Sequence, residues 1–156
     1  MKYNCTLIAV RDMARSKQFY CGLLEMEVTA DFGANVTLSD RVALQTLDTW
    51  KTFLHREETE ITLGHNAAEL YFEESDMDRF LEKLASYPGI EYVHPPKEHA
   101  WGQRVVRFYD PDRNIIEVGE EMTTVARRFA ASGMTPEQVA ARMDVPIGAV
   151  RHWLAE

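Results

Sequence analysis

Cys5 and Cys21 are the only cysteines in 156 residues. That is too few for a small secreted scaffold stapled by disulfides. No stretch approaches the ~20 consecutive apolar residues of a membrane helix, so a membrane-spanning chain is not expected. The opening residues, Met1 to Val10, carry one lysine and a short apolar run without a small-residue cleavage site. No export signal is read there, and the thiols are expected free in the cytoplasm. Positive charge is also scarce: 17 Lys and Arg stand against 25 Asp and Glu, a formal net charge of −8. An acidic body repels a phosphate backbone and suits a neutral or cationic small ligand, or a metal. Its simpler reading is solubility. What is present is enough to fold, since 46% of residues are hydrophobic and 27% charged. Such a balance predicts one compact domain, alone or with a small appendage.

An internal echo then organises the chain. Asp12-Met13-Ala14-Arg15 recurs 64 positions later as Asp76-Met77-Asp78-Arg79. Each copy follows an extended apolar run, Thr6–Val10 in one case and Leu70-Tyr71-Phe72 in the other. Each opens a stretch with apolar residues at helical spacing: Phe19, Leu23 and Leu24, then Phe80, Leu81 and Leu84. Aspartate suits a helix start because its carboxylate accepts the free N–H groups of the first turn. Downstream, Glu27–Asp31, Asn35–Leu38 and Val42–Thr46 predict three short strands with tight turns. Ile90–Val93, Val105–Tyr109 and Ile115–Gly119 predict three more, the first two separated by a Pro-Pro loop. Both halves thus give strand, helix, strand, strand, strand. A polar connection over residues 49–66 joins them, with a short helical turn expected over Leu47–His55.

Residues 122–156 depart from this pattern and predict helices alone. Thr123–Ala131 is one. Thr135 caps a second, with Pro136 at its first position and Gln138 three residues after the cap. A third covers Ile147–Leu154. The order resembles a helix-turn-helix. The third helix offers only Arg151 and His152, and the tail is nearly neutral, which counts against nucleic acid. Val139, Met143, Val150 and Trp153 are expected to form a small core that docks on the body or on a second chain.

Two βαβββ halves, the start Val10 to Tyr20 and the segment Asp110-Pro111-Asp112-Arg113-Asn114-Ile115-Ile116-Glu117 resemble the vicinal oxygen chelate superfamily. That group includes glyoxalase I, bleomycin-resistance proteins and extradiol dioxygenases. The resemblance implies an α+β fold over 1–121, with modules at about 3–48 and 67–121 forming a cupped mixed sheet. It implies a small-molecule ligand and a homodimer. It leaves the reaction open, because one scaffold serves many chemistries. A metal-dependent lyase, isomerase or dioxygenase is one expectation. A bleomycin-resistance-like binding protein without turnover is another, and a ligand-sensing regulator a third.

In metal-dependent relatives, four side chains from the first and last strands of the halves line the cup. On this chain the resemblance places those positions at Cys5, Gln45, Glu69 and Glu117. The set has no histidine. Carboxylate and amide oxygens suit Mn or Fe(II), while a thiolate leans toward Zn; Ni is the further candidate. Equally, Cys5 can be a small buried hydrophobe and Gln45 a wall residue. Glu69 and Glu117 stand out because their neighbours are apolar. Two such acids share a cation, share a proton or face solvent. If they share one cup, either becomes a candidate catalytic base. His99, Trp101 and Arg104 precede a strand at the pocket mouth, and are candidates to bind a planar or anionic ligand. Their structural alternatives are packing of the indole on a strand edge and pairing of Arg104 with Glu98.

Overall fold

The computed structural model describes residues 1–155. It divides into two compact units, 1–68 with 109–115, and 69–108 with 116–156. Among the described residues no helix is long and apolar enough to cross a membrane.

The first unit carries β1 (Thr6–Val10), α1 (Met13–Gly22), β2 (Val28–Asp31), β3 (Asn35–Leu38), β4 (Val42–Thr46) and α2 (Leu47–Leu54). Its sheet has the order β1-β4-β3-β2, with β1 parallel to β4 and the other pairs antiparallel. The Asp12 carboxylate accepts the Arg15 N–H at 2.9 Å and starts α1. Phe19, Tyr20 and Leu23 are buried with Val10, Val36 and Leu44. The expected turn after β4 is a full helix, α2, closed by His55 in a left-handed conformation. A single 3-10 turn follows at Glu58–Glu60.

The second unit repeats the order as β5 (Glu69–Glu74), α3 (Met77–Ser86), β6 (Tyr92–Glu98), β7 (Arg104–Tyr109) and β8 (Ile115–Glu120). Its sheet runs β5-β8-β7-β6. Asp76 caps α3 through the Arg79 N–H at 3.1 Å, so both aspartates of the echo do the same work. Helix α3 buries Met77, Phe80 and Leu84, and the Phe80 ring lies 6.3 Å from that of Phe108. β6 is longer than the sequence suggests and runs through Pro95-Pro96. It can do so as an edge strand, where missing N–H donors face no partner, and its register shifts between His94 and Lys97.

The Asp110–Asn114 turn is architectural. The Asp110 carboxylate accepts the Asp112 N–H (2.9 Å), the Asn114 N–H (2.7 Å) and the buried Tyr20 hydroxyl (2.7 Å). Arg113 sits at φ 68°, the left-handed position that closes the turn. Asp112 accepts the Arg11 N–H at 3.2 Å. The tail forms α4 (Met122–Ala131), α5 (Pro136–Met143) and α6 (Ile147–Ala155). Val139, Met143 and Val150 are buried in a core with Val125 and Phe129, and Trp153 packs against it. The Thr135/Gln138 capping box is formed in both directions.

Candidate functional site

Alternation along each strand sorts the second sheet into two faces. Phe108 faces α3. Arg107 therefore points to the opposite face, as do Glu117 and Gly119 of β8 and Glu69 and Tyr71 of β5. There, one side chain from each strand forms a row: Glu69, Glu117, Arg107 and His94. Arg107 Nε donates to Glu69 Oε2 at 2.9 Å, and Nη2 is ion-paired with Glu117 Oε2. Arg107 Nη1 lies 3.4 Å from His94 Nε2, while His94 Nδ1 lies 2.8 Å from the Pro95 carbonyl. A carbonyl only accepts, so Nδ1 carries the proton and Nε2 is left to accept from Arg107.

The row sets the two acids apart. Glu117 is only 6% exposed. Burial pushes its carboxyl up and the neighbouring Glu69 adds to that, against the lowering effect of Arg107. Glu69 is held below the usual carboxylate range, because its hydrogen bond from Arg107 outweighs its burial. One acid is thus kept ionised and the other is biased to hold a proton.

Beside the row, Gln103 Nε2 donates to the Tyr71 hydroxyl (3.1 Å) and to the Glu120 carbonyl (3.0 Å). This bridge crosses Gly119, where an added Cβ would lie 2.9 Å from Gln103 Nε2. Trp101 Nε1 donates to Gln103 Oε1 at 3.2 Å. Trp101 stacks on His99 with ring centroids 4.2 Å apart and planes 12° apart, and it stays 37% exposed. Burial and the cations Lys97 and Arg107 lower the His99 pKa, favouring the neutral ring.

A glyoxalase-like domain model matches residues 3–123. The chain belongs to the glyoxalase-like family, within the vicinal oxygen chelate superfamily. Its fold agrees with solved structures. A protein of unknown function from Agrobacterium tumefaciens str. C58 shares 36% identity at a TM-score of 0.69, over 78% of this chain and 95% of that one. A glyoxalase-related enzyme from Fulvimarina pelagi is similar at 13% identity and TM-score 0.64, covering 78% and 88%. A glyoxalase/bleomycin resistance protein/dioxygenase from Nocardioides follows at 18% and 0.60, covering 77% and 84%. No curated protein matches the chain.

In this glyoxalase-like chain the candidate residues divide. Glu69 and Glu117 come together on Arg107. Cys5 and Gln45 do not meet within the first unit. The β1–β4 register places Ala9 beside Gln45, and Cys5 lies four residues earlier, about 13 Å at the usual rise per residue. The ladders also align the two last strands. Val10 pairs with Thr46, and the Glu121 N–H bonds the Glu74 carbonyl at 3.0 Å, which sets Glu74 level with Glu120. Counting back, Glu117 corresponds to Ala43, and Gln45 to Gly119. Gln45 instead accepts from Asn35 Nδ2 at 2.8 Å and bonds Thr49.

A divalent metal needs lone pairs converging on one point. Among the described residues no group of three or more His, Cys, Asp or Glu has that arrangement. The lone pairs of Glu69 and Glu117 point to the Arg107 guanidinium, so as arranged these two acids do not converge on an ion.

Arg104 leaves the set as well. It stands three residues from Arg107 and so faces α3, where Nη1 meets Asp78 (2.6 Å) and Nη2 meets Glu120 (3.0 Å). Its partner is not Glu98, which pairs with Arg128 at 3.7 Å. Sequence reasoning missed Arg107, Tyr71 and Gln103. The available signal for Arg107 was a cation in an apolar strand, two residues from Val105 and Tyr109 on the same face.

Proposed function

We propose that the protein binds a small neutral or cationic molecule against the face of the second sheet opposite α3. The observation that carries this is the Glu69–Glu117–Arg107–His94 row beside a partly exposed aromatic stack. Every N–H of Arg107 used in the row is directed to an internal partner, so the row is poor at gripping an anion. Its free capacity is acceptor capacity, on the partly exposed Glu69 and the Tyr71 oxygen. A ligand with O–H or N–H donors satisfies it, and the His99–Trp101 stack suits a planar group. Any proton transfer falls to Glu117, whose affinity for a proton is raised by its burial. Tyramine, planar and cationic, is a direct probe. In NMR titration of the labelled full chain it should shift the Trp101 indole N–H and the Gly119 amide, and Glu69→Gln should abolish the shifts. Equal shifts from an anionic analogue such as 4-hydroxyphenylacetate would overturn the reading.

The rival reading is a metal enzyme of the lyase, isomerase or dioxygenase type using Cys5, Gln45, Glu69 and Glu117. Two carboxylates on one cation favour it, since a metal could take the place of Arg107. It predicts stoichiometric Zn, Ni, Mn or Fe by elemental analysis, lost in Glu69→Gln and Glu117→Gln. The proposed binding protein predicts no stoichiometric metal.

A further inference from the structure

The tail belongs to the same unit as the row, and its first helix reaches the ligand loop. Arg128 Nη2 donates to the Gly102 carbonyl at 2.5 Å and to Glu120 Oε2 at 3.1 Å, and Nη1 meets Glu98 at 3.7 Å. Arg142 of α5 meets the same Glu98 at 4.0 Å. The Phe129 ring lies against Gly102 so closely that any Cβ there would collide with it. Gly102 has φ 89°, so a side chain is excluded by conformation as well as by space. The loop is a tight turn of its own, closed by Gly102 N–H to the His99 carbonyl (2.9 Å) and His99 N–H to the Gln103 carbonyl (2.8 Å). Its side chains are the His99–Trp101 stack, and Gln103 carries it to Tyr71.

We infer that the C-terminal helices act as a clamp: Arg128 and Phe129 fix the 99–103 turn, and through it the orientation of the aromatic wall. Arg128 and Phe129 are positioning residues that touch no ligand. The inference rests on the reading that this loop borders the ligand. It adds a part that lies beyond the family model, which ends at residue 123. The placement of charge supports it. The fully buried Glu120 carboxylate is held by Arg104 from the sheet and Arg128 from the tail, so sheet, loop and tail share one ionic junction. A guanidinium can serve three acceptors from fixed directions, which a lysine ammonium on a flexible stem cannot reproduce.

Amide hydrogen exchange of the ligand-free full chain tests the clamp. Arg128→Met should speed exchange at His99 and Gly102 by at least tenfold, with amides of α3 and β7 unchanged. Arg128→Lys should fall between. Gly102→Ala, made from the loop side, should speed the same two amides and loosen α4. Unchanged loop exchange in Arg128→Met would overturn the clamp, whether or not the tail stays folded. Equal acceleration throughout the unit would also overturn it, as that marks general destabilisation. Tyramine titration of the same variants separates the two proposals. Loop exchange that responds without tyramine binding leaves the clamp and removes the ligand reading. Binding with an unresponsive loop does the reverse.

Discussion

Glu117 shows at the scale of one residue what the sequence could and could not convey. An acid flanked by Ile116 and Val118 in a strand is conspicuous, and the family resemblance places it in one cup with Glu69. The cation between them was not conspicuous, because Arg107 has no echo in the first module and its role depends on which face it takes. The pair makes a pH prediction with a definite sign. A carboxyl raised in the folded state binds its proton more tightly there than in the unfolded chain. Its contribution to stability is present at low pH and declines as pH rises from the ordinary carboxylate value through the raised one. Glu117→Gln removes that decline. Urea midpoints measured from pH 4 to 8 should therefore move in favour of the variant as pH rises. A parallel pair of profiles would show that burial does not raise Glu117. Glu120 has the opposite sign. Burial raises it, but hydrogen bonds from Arg104 and Arg128 win and hold it low. Its contribution is present at neutral pH and is lost as pH falls through that lowered value.

Elements were more legible than side-chain directions. Helix starts were visible because capping chemistry is local: Asp12, Asp76 and Thr135 each accept an N–H three residues on. Asp12→Ala and Asp76→Ala should each cost about 1 kcal/mol in denaturant unfolding, the usual worth of such a cap. A near-zero cost at either would break the equivalence of the two modules. β6 was misjudged because Pro95 and Pro96 signal a break, whereas an edge strand tolerates them. Arg104 and Arg107 were hard to assign for a related reason. They lie three apart on one strand, so alternation sends them to opposite faces, where one becomes structural and the other lines the row. Glu120→Gln should test the structural partner. It leaves the guanidinium groups of Arg104 and Arg128 facing one neutral amide, and should cost roughly 3 kcal/mol, in the range for breaking a buried ion pair. Differential scanning calorimetry would read that cost, and a loss within ±0.5 kcal/mol, ordinary for an unimportant surface change, would contradict it.

At the scale of the whole molecule, the repeat is structural and the chemistry is not repeated. Both units keep the strand order, the capped helix and the parallel pair of first and last strands. The equivalent of Glu117 in the first unit is Ala43, and beside it stand the amides Gln45 and Asn35, bonded to each other. The Asp110–Asn114 turn, the most diagnostic motif for the family, holds Tyr20 and Arg11. That is why the motif announces the fold and says little about the reaction. If the second unit alone carries the ligand, Gln45→Ala should leave tyramine affinity within twofold, while Tyr71→Phe and Glu69→Gln should lower it at least tenfold, read by the same NMR titration. A comparable loss in Gln45→Ala would return the first unit to the site. The expected homodimer is tested alongside: light scattering on the full chain should give twice the mass of one chain, and a monomer mass at the concentration of the titration would show that one chain suffices to bind.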